Sequence, residues 1–159
     1  MIILYEPHKE FLKKLLSHDV EFILIGGYAV NFHGYNRPTG DMDIWLKPSN
    51  PNKEKFLKFM KLEDFSPESI KQVAQLDFTK DTAFFFGEMP LRIDFLTRIS
   101  GVEFDEAWKQ KNTLSITGID IPVLHLHHLI LSKISNPRTK DKLDVEELQK
   151  VEKLKKRKK

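Results

Sequence analysis

Cysteine is absent from the 159-residue chain, which removes disulfide frameworks, thiolate nucleophiles and cysteine-based zinc sites from consideration. Long apolar runs are absent as well. No stretch reaches the roughly eighteen residues that span a bilayer, and Met1 to Glu10 lacks the basic segment followed by an apolar run that marks a secretory leader. The expectation is a cytoplasmic protein with no membrane partner. A basic surface is also missing, although Lys plus Arg total 26 against 23 Asp plus Glu. Six of the positive charges fall in the last seven residues, so residues 1 to 152 carry a net charge of −3. The basic balance belongs to the tail, and a general nucleic-acid-binding surface is not indicated. What is present is a 40% hydrophobic composition, sufficient for one ordinary core. The chain is therefore expected to be a single domain over 1–159, with a core over about 20–124 and C-terminal helices over about 125–155.

Apolar spacing gives the order of elements. Pro7 and the stripe Phe11, Leu12, Leu15, Leu16 predict a first helix closed by Ser17-His18-Asp19. Val20 to Ile25 reads as a strand, Gly26-Gly27 as a turn, and Tyr28 to Phe32 as a short helix ending by Gly34. Asp41 to Leu46 alternates, with Asp41, Asp43 and Trp45 on one face and Met42, Ile44 and Leu46 on the other, as in a half-buried strand. Asn50-Pro51 opens a helix with Phe56, Leu57, Phe59 and Met60 buried, and a short helix is expected around Pro67 to Ala74. Phe84 to Phe86 and Leu91 to Leu96 read as two strands in tight connection, the phenylalanines in the core. Leu91, Ile93 and Phe95 would share a face, leaving Asp94 on the other. Leu114 to Ile116 and Ile119 to Val123 flank Thr117-Gly118 as a hairpin. Helix resumes at His125, breaks at Asn136-Pro137, and ends in an amphipathic segment through Leu143, Leu148, Val151 and Leu154. The fold class is α+β, a mixed or antiparallel sheet flanked by helices with a C-terminal helical segment.

The chemistry lies in a conjunction. Asp41 and Asp43, two apart on one strand, point to one side with Cα atoms about 6.5 to 7 Å apart. With 11 aspartates in the chain, an Asp-x-Asp pair arises by chance about 0.75 times and alone means nothing. Here, however, a glycine pair ends the preceding apolar strand, and Asp94 sits outward on a later one. Such carboxylates suit Mg²⁺, a hard cation that binds oxygen ligands together with substrate phosphates. A third carboxylate lets the cluster hold two ions, the arrangement that clamps the attacking and leaving oxygens of a phosphoryl displacement. The glycines leave backbone N–H groups open to an anion. Arg37, just before the carboxylates, is a candidate for holding phosphate or acceptor. Thr39 either joins it or fixes the loop by local hydrogen bonding. Asp94 has an alternative of its own, pairing with Arg92.

Ile25-Gly26-Gly27-Tyr28-Ala29-Val30, followed by Arg37-x-Thr39-x-Asp41-Met42-Asp43-Ile44 and the later Asp94, resembles the signature of the polymerase-β-like nucleotidyltransferase superfamily. The Gly-Gly-x-Ala form is most similar to small stand-alone bacterial and archaeal members, including those related to the toxins of abortive-infection toxin–antitoxin systems. The resemblance is specific over 21–46 and supported at 91–97. It implies that Asp41 and Asp43 bind a pair of Mg²⁺ ions, or Mn²⁺, and that Asp94 completes the first metal site and helps deprotonate an acceptor hydroxyl. Gly26 and Gly27 would cradle the phosphates of an NTP such as ATP. In the segment Leu129 to Asp144, Lys133, Arg138 and Lys140 would reach those phosphates, a solvated helix face being the alternative. NMP would pass to RNA, a protein side chain or a small molecule with release of pyrophosphate, with tRNA or protein ranked ahead of an antibiotic.

Other readings stand beside this one. A catalytically degenerate nucleotide-binding or regulatory module, working with a cognate partner protein, would keep the fold without the reaction. A metal-dependent phosphohydrolase would ordinarily draw on more ligands, often histidine. His125, His127 and His128 do not have the i, i+4 spacing of a helical zinc site. The Lys155 to Lys159 tail is read as a solvated helix end, with RNA docking as its alternative.

Overall fold

In the computed structural model the described residues are 4–36, 39–136 and 139–157, without the side chains of 139–141. They form six strands in one mixed sheet of order β3-β4-β2-β1-β6-β5. Helix α1 (Glu6–Ser17) precedes β1 (Phe22–Ile25), and α2 (Gly26–Phe32) follows directly. Next come β2 (Met42–Leu46), α3 (Asn50–Leu62), α4 (Pro67–Ala74), β3 (Ala83–Phe86) and β4 (Ile93–Leu96). The chain continues through α5 (Phe104–Gln110), the hairpin β5 (Asn112–Ile116) and β6 (Ile119–Val123), then α6 (Leu126–Ser135) and α7 (Thr139–Arg157). β1 is antiparallel to β2 and parallel to β6, while β2 and β4 run parallel. The expected α+β architecture is present. No helix among the described residues is long and apolar enough to cross a membrane.

Local chemistry sets the boundaries. Pro51 and Pro67 occupy first-turn positions, where a missing N–H costs nothing. The hydroxyls of Ser49 and Ser66 accept from Asn52 N–H at 3.2 Å and Ser69 N–H at 3.1 Å, closing the helix starts. Asn52, fully buried, also accepts from Glu21 N–H at 2.8 Å and donates to the Glu21 carbonyl at 2.9 Å. It therefore ties α3 to the start of β1. Thr117 and Gly118 both have positive φ, 45° and 83°, the backbone that a two-residue hairpin requires.

One face of the sheet is an aromatic core. Phe95 and Phe84 stack at 4.9 Å between centroids, and Phe56 of α3 meets both, at 5.3 and 5.7 Å. Phe11 of α1 closes over Phe59 and Phe95. The opposite face carries the polar side of β2 and β4.

Several expectations change. Asp41 to Leu46 does alternate, yet Trp45 is buried: β2 is internal to the sheet, and α5 lays Phe104 against the indole at 5.1 Å. Trp45 Nε1–H donates to the Thr97 carbonyl at 3.1 Å. Leu91 lies outside β4 and is exposed, as is Phe85, because β3 is an edge strand whose alternate side chains face outward. Among the described apolar side chains of α7, Leu148 is the fully buried one. Val151 is half-buried and Leu143 and Leu154 are exposed, so the docked stripe is narrower than the apolar pattern.

Candidate active site

The edge of the sheet where β1 ends and β2 and β4 begin gathers the carboxylates. Asp43 is in register with Ile25 on one side and Asp94 on the other. Asp41 precedes it by two residues on the same face. One oxygen from each of Asp41, Asp43 and Asp94 lies within 4.8 Å of the other two, and all three residues are half-buried. Gly26 has φ +66°, and a Cβ there would overlap the Asp43 carboxylate. Glycine is thus required twice, for its backbone and for the closeness of Asp43. Gly27 follows, buried in the first turn of α2.

Among the described residues a cation just before β4 meets Asp94. Arg92 grips Asp94 in a fork, Nε at 3.1 and 3.2 Å from the two oxygens and Nη2 at 2.9 Å from Oδ1. Its guanidinium lies 3.9 Å from the Phe85 ring centroid. Hydrogen bonding to Asp94, then the charges of Asp94, Asp41 and Asp43, raise its already high pKa. The pairing weighed as the alternative for Asp94 is therefore present within the carboxylate cluster. Thr39 Oγ1–H donates to the Asp41 carbonyl at 3.0 Å, which steadies the entry to β2. A Cβ on Gly40 would collide with the Met89 methyl, so the β3–β4 connection rests against that same entry.

Beside the carboxylates opens a cleft of about 380 Å³. Ile25, Gly26, Asp43 and Leu96 form its sheet side, and Leu129, Ser132, Lys133 and Asn136 of α6 and its end face them. Lys133 Nζ lies 3.0 Å from Asp144 Oδ2, with side-chain exposures of 10% and 1%. Instead of a solvated helix face, the pair is a buried tie from α6 to α7. Arg37 and Arg138 lie outside the described residues, as does the side chain of Lys140. Arg98 and Asp81 also line the cleft and were not singled out from the sequence. Arg98 was within reach, being four residues after Asp94 in the alternation, although β4 ends at Leu96.

A donor set of three carboxylates with no sulfur or imidazole fits a hard divalent cation. The family model described as nucleotidyl transferase of unknown function (DUF2204) matches residues 5–159. The chain belongs to that family. This nucleotidyltransferase matches no curated protein sequence. Among solved structures it is similar to the lincosamide antibiotic adenylyltransferase LnuA with lincomycin bound, at 13% identity and a TM-score of 0.58, covering 95% of this chain and 99% of that one. At that identity the likeness is one of fold, and it agrees with the nucleotidyltransferase fold expected from the glycine and aspartate pattern.

Proposed function

We propose that this nucleotidyltransferase uses Asp41, Asp43 and Asp94 to hold divalent metal, Mg²⁺ in two sites with Mn²⁺ as a substitute, and moves NMP from an NTP to a hydroxyl. When bound, the metal supplies Lewis-acid polarisation of the α-phosphate and neutralises charge on the departing pyrophosphate. Gly26 and Gly27 offer backbone N–H groups to the phosphates, and Lys133, held by Asp144, presents its ammonium to the same cleft. Asp94 takes the acceptor proton as the acceptor oxygen bonds to the α-phosphorus. The bond from that phosphorus to the oxygen bridging to the β-phosphate breaks, and pyrophosphate leaves with the electron pair. The observation that carries this reading is the convergence of three carboxylates at 4.8 Å or less beside a glycine that admits no side chain. Residues 1–159 would act as one catalytic unit.

The surroundings of the site bear on the acceptor. Phe85, Met89 and Leu91 are exposed next to the carboxylates, an apolar rim. Meanwhile α7 runs from Asp144, beside Lys133, toward His33 and His125, whose pKa values Lys155 helps to lower. Its basic end is thus carried away from the cleft. Both features favour a protein or small-molecule hydroxyl over tRNA. LnuA, by its name, adenylylates a lincosamide antibiotic, an acceptor of the small-molecule kind.

The Arg92 fork on Asp94 favours a second reading, a nucleotide-binding regulatory module without turnover. Incubation with each NTP labelled at the α-phosphate, in cell extract, separates the two. Label in protein or small molecules is expected; binding of NTP without any labelled product would support the second.

A further inference from the structure

We propose that the cleft carries a base-reading pair, Asp81 and Arg98, that selects guanine; this rests on the cleft being the nucleotide site. The antiparallel register of β3 and β4 sets Phe85 against Asp94 and Ala83 against Leu96. Continued by two residues, it sets Asp81 against Arg98, and the period of two keeps both on the face that bears Asp94. One backbone bond carries the pairing a step past β4: Thr97 N–H donates to the Thr82 carbonyl at 3.0 Å, while Thr82 N–H turns to the Thr97 hydroxyl at 2.9 Å. Both charged residues line the cleft.

Opposite charges directly across two strands ordinarily pair. Among the described residues Asp81 and Arg98 are not within ion-pair distance of each other, and neither side chain has another hydrogen-bond partner. One cleft therefore offers a guanidinium fork and a carboxylate side by side, both free to meet a ligand. Arg98 lies four residues from Asp94, two of them beyond the end of β4, so it stands apart from the carboxylates that would face the α-phosphate. Leu96, Ile99 and Leu129 line the space between and give the base apolar surfaces.

Guanine answers both charges. Its N7 and O6 accept from the Arg98 fork, and its N1–H and 2-amino group donate to Asp81. Adenine places an amino donor where the fork needs an acceptor, and the pyrimidines lack N7.

Titration calorimetry of the full chain in Mg²⁺ with GTP, ITP, ATP, CTP and UTP tests this, on wild type, Arg98→Met and Asp81→Asn, with thermal melts to verify folding. Wild type is expected to bind GTP about tenfold or more tighter than ATP, CTP or UTP, and tighter than ITP, which lacks the 2-amino group. Arg98→Met should bring GTP to the level of ATP while ATP is unchanged, and Asp81→Asn should erase the difference between GTP and ITP. Equal affinity of wild type for all five overturns the proposal. So does a uniform loss in Arg98→Met, the mark of a phosphate contact, or unchanged affinities with lowered melting temperatures, the mark of a surface ion pair. Failure of wild type to bind any nucleotide would remove the nucleotide reading of the cleft and this one with it.

Discussion

Gly26 admits no side chain, since its φ of +66° and the adjacent Asp43 carboxylate both exclude a Cβ. Gly26→Ala should cost about 1 to 2 kcal/mol from the left-handed backbone alone. Displacement of Asp43 should add a loss of nucleotidyl transfer far larger than that stability change would produce; urea unfolding and a transfer assay on the same preparation separate the two effects. His33 makes a different kind of prediction. It is 4% exposed, its Nε2–H donates to the Leu124 carbonyl at 2.7 Å, and burial depresses its pKa to about 4. Above pH 6.5 the ring is neutral whether the chain is folded or unfolded. Between 6.5 and about 4 the unfolded chain takes a proton that the folded one refuses, so stability falls as pH falls, by about 3 kcal/mol across the window. The urea midpoint should drop over that range. His33→Gln, which keeps a donor for Leu124, should flatten the slope in part, because burial also lowers His8, His125 and His128. A slope unchanged by the substitution would contradict the assignment to His33.

Strand β2 shows what sequence pattern can and cannot carry at the scale of an element. Its alternation correctly set Asp41 and Asp43 on one face, because side-chain direction along a strand is local. Trp45 shares that face yet is buried, a consequence of α5 packing across it; the helical spacing of Phe104, Ala107 and Trp108 is the sequence signal for α5. The placement of the candidate site residues was likewise legible where it is local: Gly26 next to β1, and the two aspartates two apart at the start of β2. Asp94 was legible as outward-facing, whereas its register with Asp43 is a tertiary fact. The buried tie between Lys133 and Asp144, eleven residues apart, depends on α6 and α7 folding back on each other, which no periodicity encodes. Helix α7 is seated chiefly by Leu148, fully buried. Leu148→Ala should cost about 2 to 5 kcal/mol, read by thermal or urea unfolding. By loosening the support of Lys133 it should also weaken NTP binding. Unchanged stability would show that α7 is held by something other than this contact.

At the scale of the whole molecule, charge and topology divide the labour. The body, net −3 over residues 1–152, concentrates three carboxylates at one edge of the sheet, with Arg92 paired to Asp94. The aromatic core on the opposite face supplies the rigid support that holds strands β1, β2 and β4 in register. The basic end of α7 lies off the cleft, so the charge that dominates the composition is not the charge that defines the site. The central claim is that the carboxylate edge performs NMP transfer, and one comparison tests it most directly. Wild type and the double variant Asp41→Asn with Asp43→Asn are incubated with NTP labelled at the α-phosphate, Mg²⁺ and cell extract, after circular dichroism has confirmed equal folding. Wild type should pass the label to an acceptor and the double variant should pass none. Undiminished transfer by the double variant would contradict the assignment.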